Sequence, residues 1–123
     1  MTIIEAINEA DALRQNCYNV SEKLKWLSRV DAQVRKEVLD TCANPPEEAF
    51  GGYNEETDTD TRLLMPEPYS EAYVRYLEAQ IDMANGELKR YNSAINEFNT
   101  IYSAFKRWHT RNHEQRKVCH RYF

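Results

Sequence analysis

Apolar residues recur through this chain with a helical period, and the clearest run lies in its C-terminal half. Leu77, Ile81, Ala84, Leu88, Tyr91, Ile95, Phe98, Tyr102, Phe105 and His109 follow one another at steps of four and three. With Val74 ahead of them, they fill the a and d positions of a heptad pattern held for more than four heptads. Tyr73, Ile101 and Trp108 at g widen the stripe, which suits a helical bundle better than a bare two-stranded seam. The pattern predicts one long amphipathic helix over 69–109, with its strongest stretch at 74–109. Asn85-Gly86 interrupts it with a dipeptide able to end a helix. Because the phase runs from Ala84 to Leu88 without a slip, the periodicity favours a continuous or bent helix.

Two shorter helices are expected before it. Thr2-Ile-Ile-Glu5 has the form of a capping box, and Ile3, Ile7, Ala10 and Leu13 follow at helical spacing, which places a helix over 3–15. A second is expected over 21–41, with Leu24, Leu27, Val30, Val34 and Val38 as its apolar face and Trp26 toward one edge. Asp31 falls inside that face; carboxylates are so seldom buried that a rim position is favoured over a hydrogen-bonded core site. Periodicity disappears over 42–68, where Gly51-Gly52, prolines and acidic residues mark a long loop. Leu63-Leu64-Met65 is its one apolar stretch inside that segment, expected as an anchor pressed onto the helices.

The fold class that follows is all-α: an elongated bundle of two shorter N-terminal helices packed on one long C-terminal helix, in a single domain over 1–109. A helix over 74–109 would be about 54 Å long. A compact globule of this chain length is only about 35 Å across. The excess stripe therefore needs covering, either by the two short helices laid end to end or by other copies and partners.

Composition and charge refine this picture. With 123 residues, 41% hydrophobic and 29% charged, the chain has the makings of a modest folded core rather than a disordered segment. No apolar run reaches 18 residues, so no membrane partner is expected, and the start of the chain lacks the basic and apolar blocks of a signal peptide. Three widely spaced cysteines (Cys17, Cys42, Cys119) fit a reducing compartment better than a disulfide scaffold. The net charge of −4 hides a polarity along the chain. Over 44–67 there are seven acidic residues against Arg62 alone; over 106–123 there are six basic ones against Glu114 alone.

Candidate chemistry is sparse. No nucleophile elbow, P-loop, dinucleotide fingerprint or H-E-x-x-H pattern is present, so no catalytic residue, cofactor or enzymatic activity is expected. His109, His113, Cys119 and His120 are of metal-ligand type but lack the paired spacing of a zinc site, and no metal is expected. Asn85, Asn92 and Asn99 recur every seven residues along one helix edge. They suit either hydrogen bonds across an inter-subunit boundary or a solvated polar flank. The tail over 110–123 and the positions just before it supply Lys106, Arg107, Trp108, Arg111, Arg116, Lys117 and Arg121, a docking candidate for an acidic protein surface. The acidic loop of another copy would supply one, and head-to-tail contacts between unlike surfaces close into rings. With Trp108, Tyr122 and Phe123 the same tail could also contact nucleic acid.

Several segments carry a family likeness. Leu64-Met-Pro-Glu-Pro-Tyr-Ser-Glu-Ala-Tyr73, then Tyr76-Leu-Glu-Ala-Gln-Ile-Asp-Met-Ala-Asn-Gly-Glu87 and Arg90-Tyr-Asn92, resemble a group of small bacteriophage and prophage proteins. Ile4-Glu-Ala-Ile-Asn-Glu-Ala10 and Glu22-Lys-Leu-Lys-Trp-Leu27 are similar as well, so the likeness spans roughly 2–109. Proteins of that group come from the virion structural module and are presumed head–tail connectors or adaptors. The resemblance implies a non-catalytic virion protein that forms a ring at the neck, with portal and tail proteins as partners and non-specific DNA contact in the lumen. It would be made in the bacterial host cytoplasm and end in the virion neck. The alternative is a small helical regulator that binds a protein or nucleic acid.

Overall fold

The computed structural model describes residues 1–39 and 50–112. Four helices make up the described part: α1 (Ile3–Leu13), α2 (Val20–Glu37), α3 (Glu71–Ala84) and α4 (Leu88–Asn112). The all-helical class read from the periodicity holds, and a long C-terminal helix packs with shorter ones.

Local chemistry sets the helix starts. Thr2 caps α1 as a full capping box: its hydroxyl accepts from the Glu5 N–H at 3.3 Å, and the Glu5 carboxylate accepts from the Thr2 N–H at 3.0 Å. Those bonds hold the Glu5 carboxyl below its ordinary pKa. Asn19 caps α2 by accepting from the Glu22 N–H at 3.0 Å.

The predicted long helix is a correction. The chain stops at Ala84, turns through three residues and returns as α4. The turn is a Schellman motif: Glu87 N–H donates to the Asp82 carbonyl at 2.8 Å, and Gly86 N–H to that of Met83 at 3.1 Å. Gly86 has φ +79°, a left-handed conformation that glycine alone adopts without strain. Contacts between the two helices then pair rising with falling residue numbers. Arg75 meets Glu97 at 3.0 Å, Tyr76 lies 5.2 Å from Phe98, and Tyr69 lies 5.8 Å from Phe105 between ring centres. Helices α3 and α4 thus form an antiparallel hairpin. A continuous rod would have left much of the stripe in water, whereas folding back buries one half against the other.

Helix α3 is the centre of the bundle, packed by α1, α2 and α4. Ala72, Tyr73, Val74, Leu77, Ala79 and Ile81 are all fully buried on it. Helix α1 runs alongside α3 in the same direction, since Arg14 at its end reaches Asp82 while Met1 pairs with Glu67. Helix α2 runs the other way, parallel to α4: Gln33 meets Tyr102, and four residues on, Glu37 meets Lys106.

The segment 50–70 lies on the helices as a strap without regular structure. Leu63 and Met65 are buried, as expected of an anchor. Carbonyls of Thr61 and Thr59 accept from the Ile3 and Ile4 N–H groups, each at 3.0 Å, and so satisfy otherwise free donors in the first turn of α1.

Candidate functional site

Asp31 is not on the rim; it is completely buried. Its carboxylate accepts from the hydroxyls of Tyr53 and Tyr73 and from the Leu64 N–H at 3.2 Å. The Tyr73 oxygen in turn accepts from the Met65 N–H at 2.7 Å. Burial is the stronger influence and raises the Asp31 pKa above its ordinary value, against the opposing pull of these hydrogen bonds. Both tyrosines are pushed up as well, by burial and then by the nearby carboxylate. These five residues belong to α2, α3 and the strap, so the cluster joins three parts of the fold. Sequence reasoning passed over it because neither tyrosine shows its partner locally.

A second polar cluster runs along α3. Arg14 binds Asp82 at 3.1 Å and Glu78 at 3.2 Å; Arg75 binds Glu78 at 2.6 Å, Glu71 at 3.0 Å and Glu97 at 3.0 Å. Glu78 and Asp82 are buried, and each is held by arginine. Among the described residues, no group of three or more metal-ligating side chains occurs. His109 packs its ring 5.9 Å from Phe105, while His113, Cys119 and His120 lie outside the described residues.

The residues expected to form the packing stripe divide at the turn. Val74, Leu77 and Ile81 are buried on α3; Phe98, Tyr102 and Phe105 are buried on α4, with Tyr91 and Ile95 half-buried between. Ala84 and Leu88, beside the turn, are exposed. The Asn edge is likewise divided, which removes the premise of a single helix edge. Asn85 caps α3 and accepts from the Tyr18 hydroxyl at 2.7 Å, whereas Asn92 and Asn99 are exposed on α4. Of the expected docking tail, Lys106, Arg107, Trp108 and Arg111 belong to α4. Trp108 packs 5.6 Å from Tyr69, while Arg107 and Arg111 are exposed. Arg116, Lys117 and Arg121 lie outside the described residues.

Two surfaces emerge. At the hairpin end, the α1–α2 connection meets the α3–α4 turn through Arg14–Asp82 and Tyr18–Asn85. Leu13, Val20, Met83 and Leu88, each at or near a helix terminus at that end, are 44–61% exposed. Beside them, the first turn of α2 and the strap enclose a cleft of about 390 Å³ lined by Val20, Leu24 and Glu55 among others. On the other side, every exposed residue of α4 after Leu88 is polar, and Lys25, Arg29 and Lys36 are exposed on α2. No helix among the described residues is long and apolar enough to cross a membrane. No family model matches the chain, and neither a curated protein nor a solved structure matches it.

Proposed function

We propose that the chain is a non-catalytic assembly subunit that docks onto other proteins through the hairpin end of its bundle. The observation that carries this reading is the gathering of four large apolar side chains, all substantially exposed, where all four helices have a terminus. Single exposed apolar residues are ordinary, but a group at one end of a small bundle is the usual mark of a protein contact. Following the phage-protein resemblance, the setting is the neck of a virion, where copies form a ring that joins portal to tail. The polarity of charge suits such a ring, because the acidic strap of one copy and the basic tail of the next, with Arg116, Lys117 and Arg121, are unlike surfaces.

The test is co-assembly. Purified chain mixed with portal should give closed oligomers by native mass spectrometry and negative-stain imaging. Met83→Glu with Leu88→Glu should abolish them. Both positions are exposed, so the double variant should keep its stability to within about 0.5 kcal/mol per site. Unchanged rings from the folded double variant would remove the hairpin end from the interface. No association with portal or tail proteins would remove the connector reading altogether.

A further inference from the structure

We propose that the outward faces of α2 and α4 form one surface that binds the sugar–phosphate backbone of duplex nucleic acid without reading its base sequence. The two helices run in the same direction on α3 and meet through side chains at one level, where Tyr102 reaches Gln33 and Glu37 and Lys106 reaches Glu37. On α4, Lys89, Arg107 and Arg111 are exposed; on α2, Lys25, Arg29 and Lys36 are exposed at helical spacing along one stripe. None of these six has an ion-pair partner among the described residues. The one acidic residue of α4, Glu97, is taken up by Arg75. Between the two ends of α4, the remaining exposed positions are filled by Asn, Ser and Thr. Those side chains, with Lys and Arg, are the ones that donate to phosphate oxygens.

Two features select nucleic acid over a protein as the occupant. After Leu88, every exposed position of α4 is polar. A protein interface needs a desolvated apolar centre, whereas nucleic-acid interfaces are polar and strongly positive. Length is the second. Lys89 and Arg111 are about 33 Å apart along the helix, close to one turn of duplex. The acidic residues of the strap, Glu55, Glu56, Asp58 and Asp60, fall within six positions and span at most about 20 Å, too short to match the face. The fold also keeps that strap away from this face, for it crosses α2 on another side, at Ser21 and Ser28. The inference does not rest on the connector reading, since a regulator could use the same surface.

The experiment is fluorescence anisotropy of the full-length chain with two labelled duplexes of unrelated sequence, over a range of salt from about 50 to 200 mM. Both duplexes should bind with similar affinity, and binding should weaken steeply with salt. Lys89→Gln/Arg107→Gln/Arg111→Gln should weaken binding by at least about tenfold at low salt and flatten the log–log salt slope by about 2.7. Lys25→Gln/Arg29→Gln/Lys36→Gln should act in the same direction, and circular dichroism should show both variants folded. Arg116→Gln/Lys117→Gln/Arg121→Gln should leave most of the binding intact. No binding at low salt, binding unchanged by both helix variants, or loss confined to the last variant would each overturn the proposal. So would a loss of self-association, with duplex binding untouched, in the α4 variant: that result would give the face to the strap of another copy.

Discussion

Asp31 shows how far one residue's role depends on partners distant in the chain. A buried carboxylate without donors is strongly unfavourable, and here two hydroxyls and a backbone N–H supply them. Tyr73→Phe would take one donor from Asp31 and leave the Met65 N–H without its acceptor, a loss of about 1–3 kcal/mol measurable by urea unfolding. The titration gives a second check. The folded pKa of Asp31 lies above 3.8, so the folded state binds its proton more tightly than the unfolded state does. Its contribution to stability is therefore greatest below that value and shrinks as pH rises through the folded pKa. Stability measured across this window, for the parent and for Asp31→Asn, should differ by an amount that moves against the parent as pH rises. A difference that grows in the parent's favour with pH would contradict the assignment. Tyr53 and Tyr73 are raised in the same sense, so their neutral forms persist in the fold to unusually alkaline pH.

At the scale of elements, the hairpin turn is the decision point of the fold. Ala84 and Leu88 keep one heptad phase on either side of it, so the same stripe serves a continuous rod or two antiparallel helices. What selects the hairpin is the left-handed Gly86 with its two closing hydrogen bonds, together with the burial gained when α4 covers α3. A Cβ at Gly86 would meet nothing, so Gly86→Ala should cost only backbone strain, about 1 kcal/mol. Replacing Asn85, Gly86 and Glu87 together by alanine goes further, because it favours the rod. Its exposed stripe would then be covered by exchange of α4 between two chains, giving a swapped dimer. A strictly monomeric, fully folded triple variant would show that burial alone fixes the hairpin. The capping box and the apolar face of α2 were legible in the sequence, because each depends on residues within a few positions. The turn was only half legible: Asn85-Gly86 signals a helix end, but the preserved phase argues against one.

For the whole molecule, ion pairs on α3 connect elements that apolar packing alone would hold less specifically. Arg14 links the end of α1 to Glu78 and Asp82 near the end of α3. Arg14→Ala would leave the buried Asp82 without its arginine, at a cost of about 3 kcal/mol. Arg14→Lys should recover only part of this, since its single ammonium cannot reproduce the forked contact. Equal stability of the Ala variant and the parent in thermal unfolding would mean that the pair contributes nothing net. Charge is also redistributed at this scale. Of the described residues, the acidic strap around Glu55 lies against α1 and α2, whereas Lys106, Arg107 and Arg111 belong to α4.

By itself the sequence determined what local chemistry decides: an all-helical chain, where the first two helices begin, which residues are apolar enough to form a core, and an irregular strap anchored at Leu63 and Met65. Helical period and end caps act over one or two turns, so they can be read without knowing the rest of the molecule. Tertiary structure alone decided that the stripe is covered by its own continuation, that Asp31 is inside, and that Asn85 belongs to a turn rather than to an edge shared with Asn92 and Asn99. Those outcomes depend on burial and on hydrogen bonds between residues tens of positions apart. A periodic pattern records that a face must be covered, and only the fold determines what covers it.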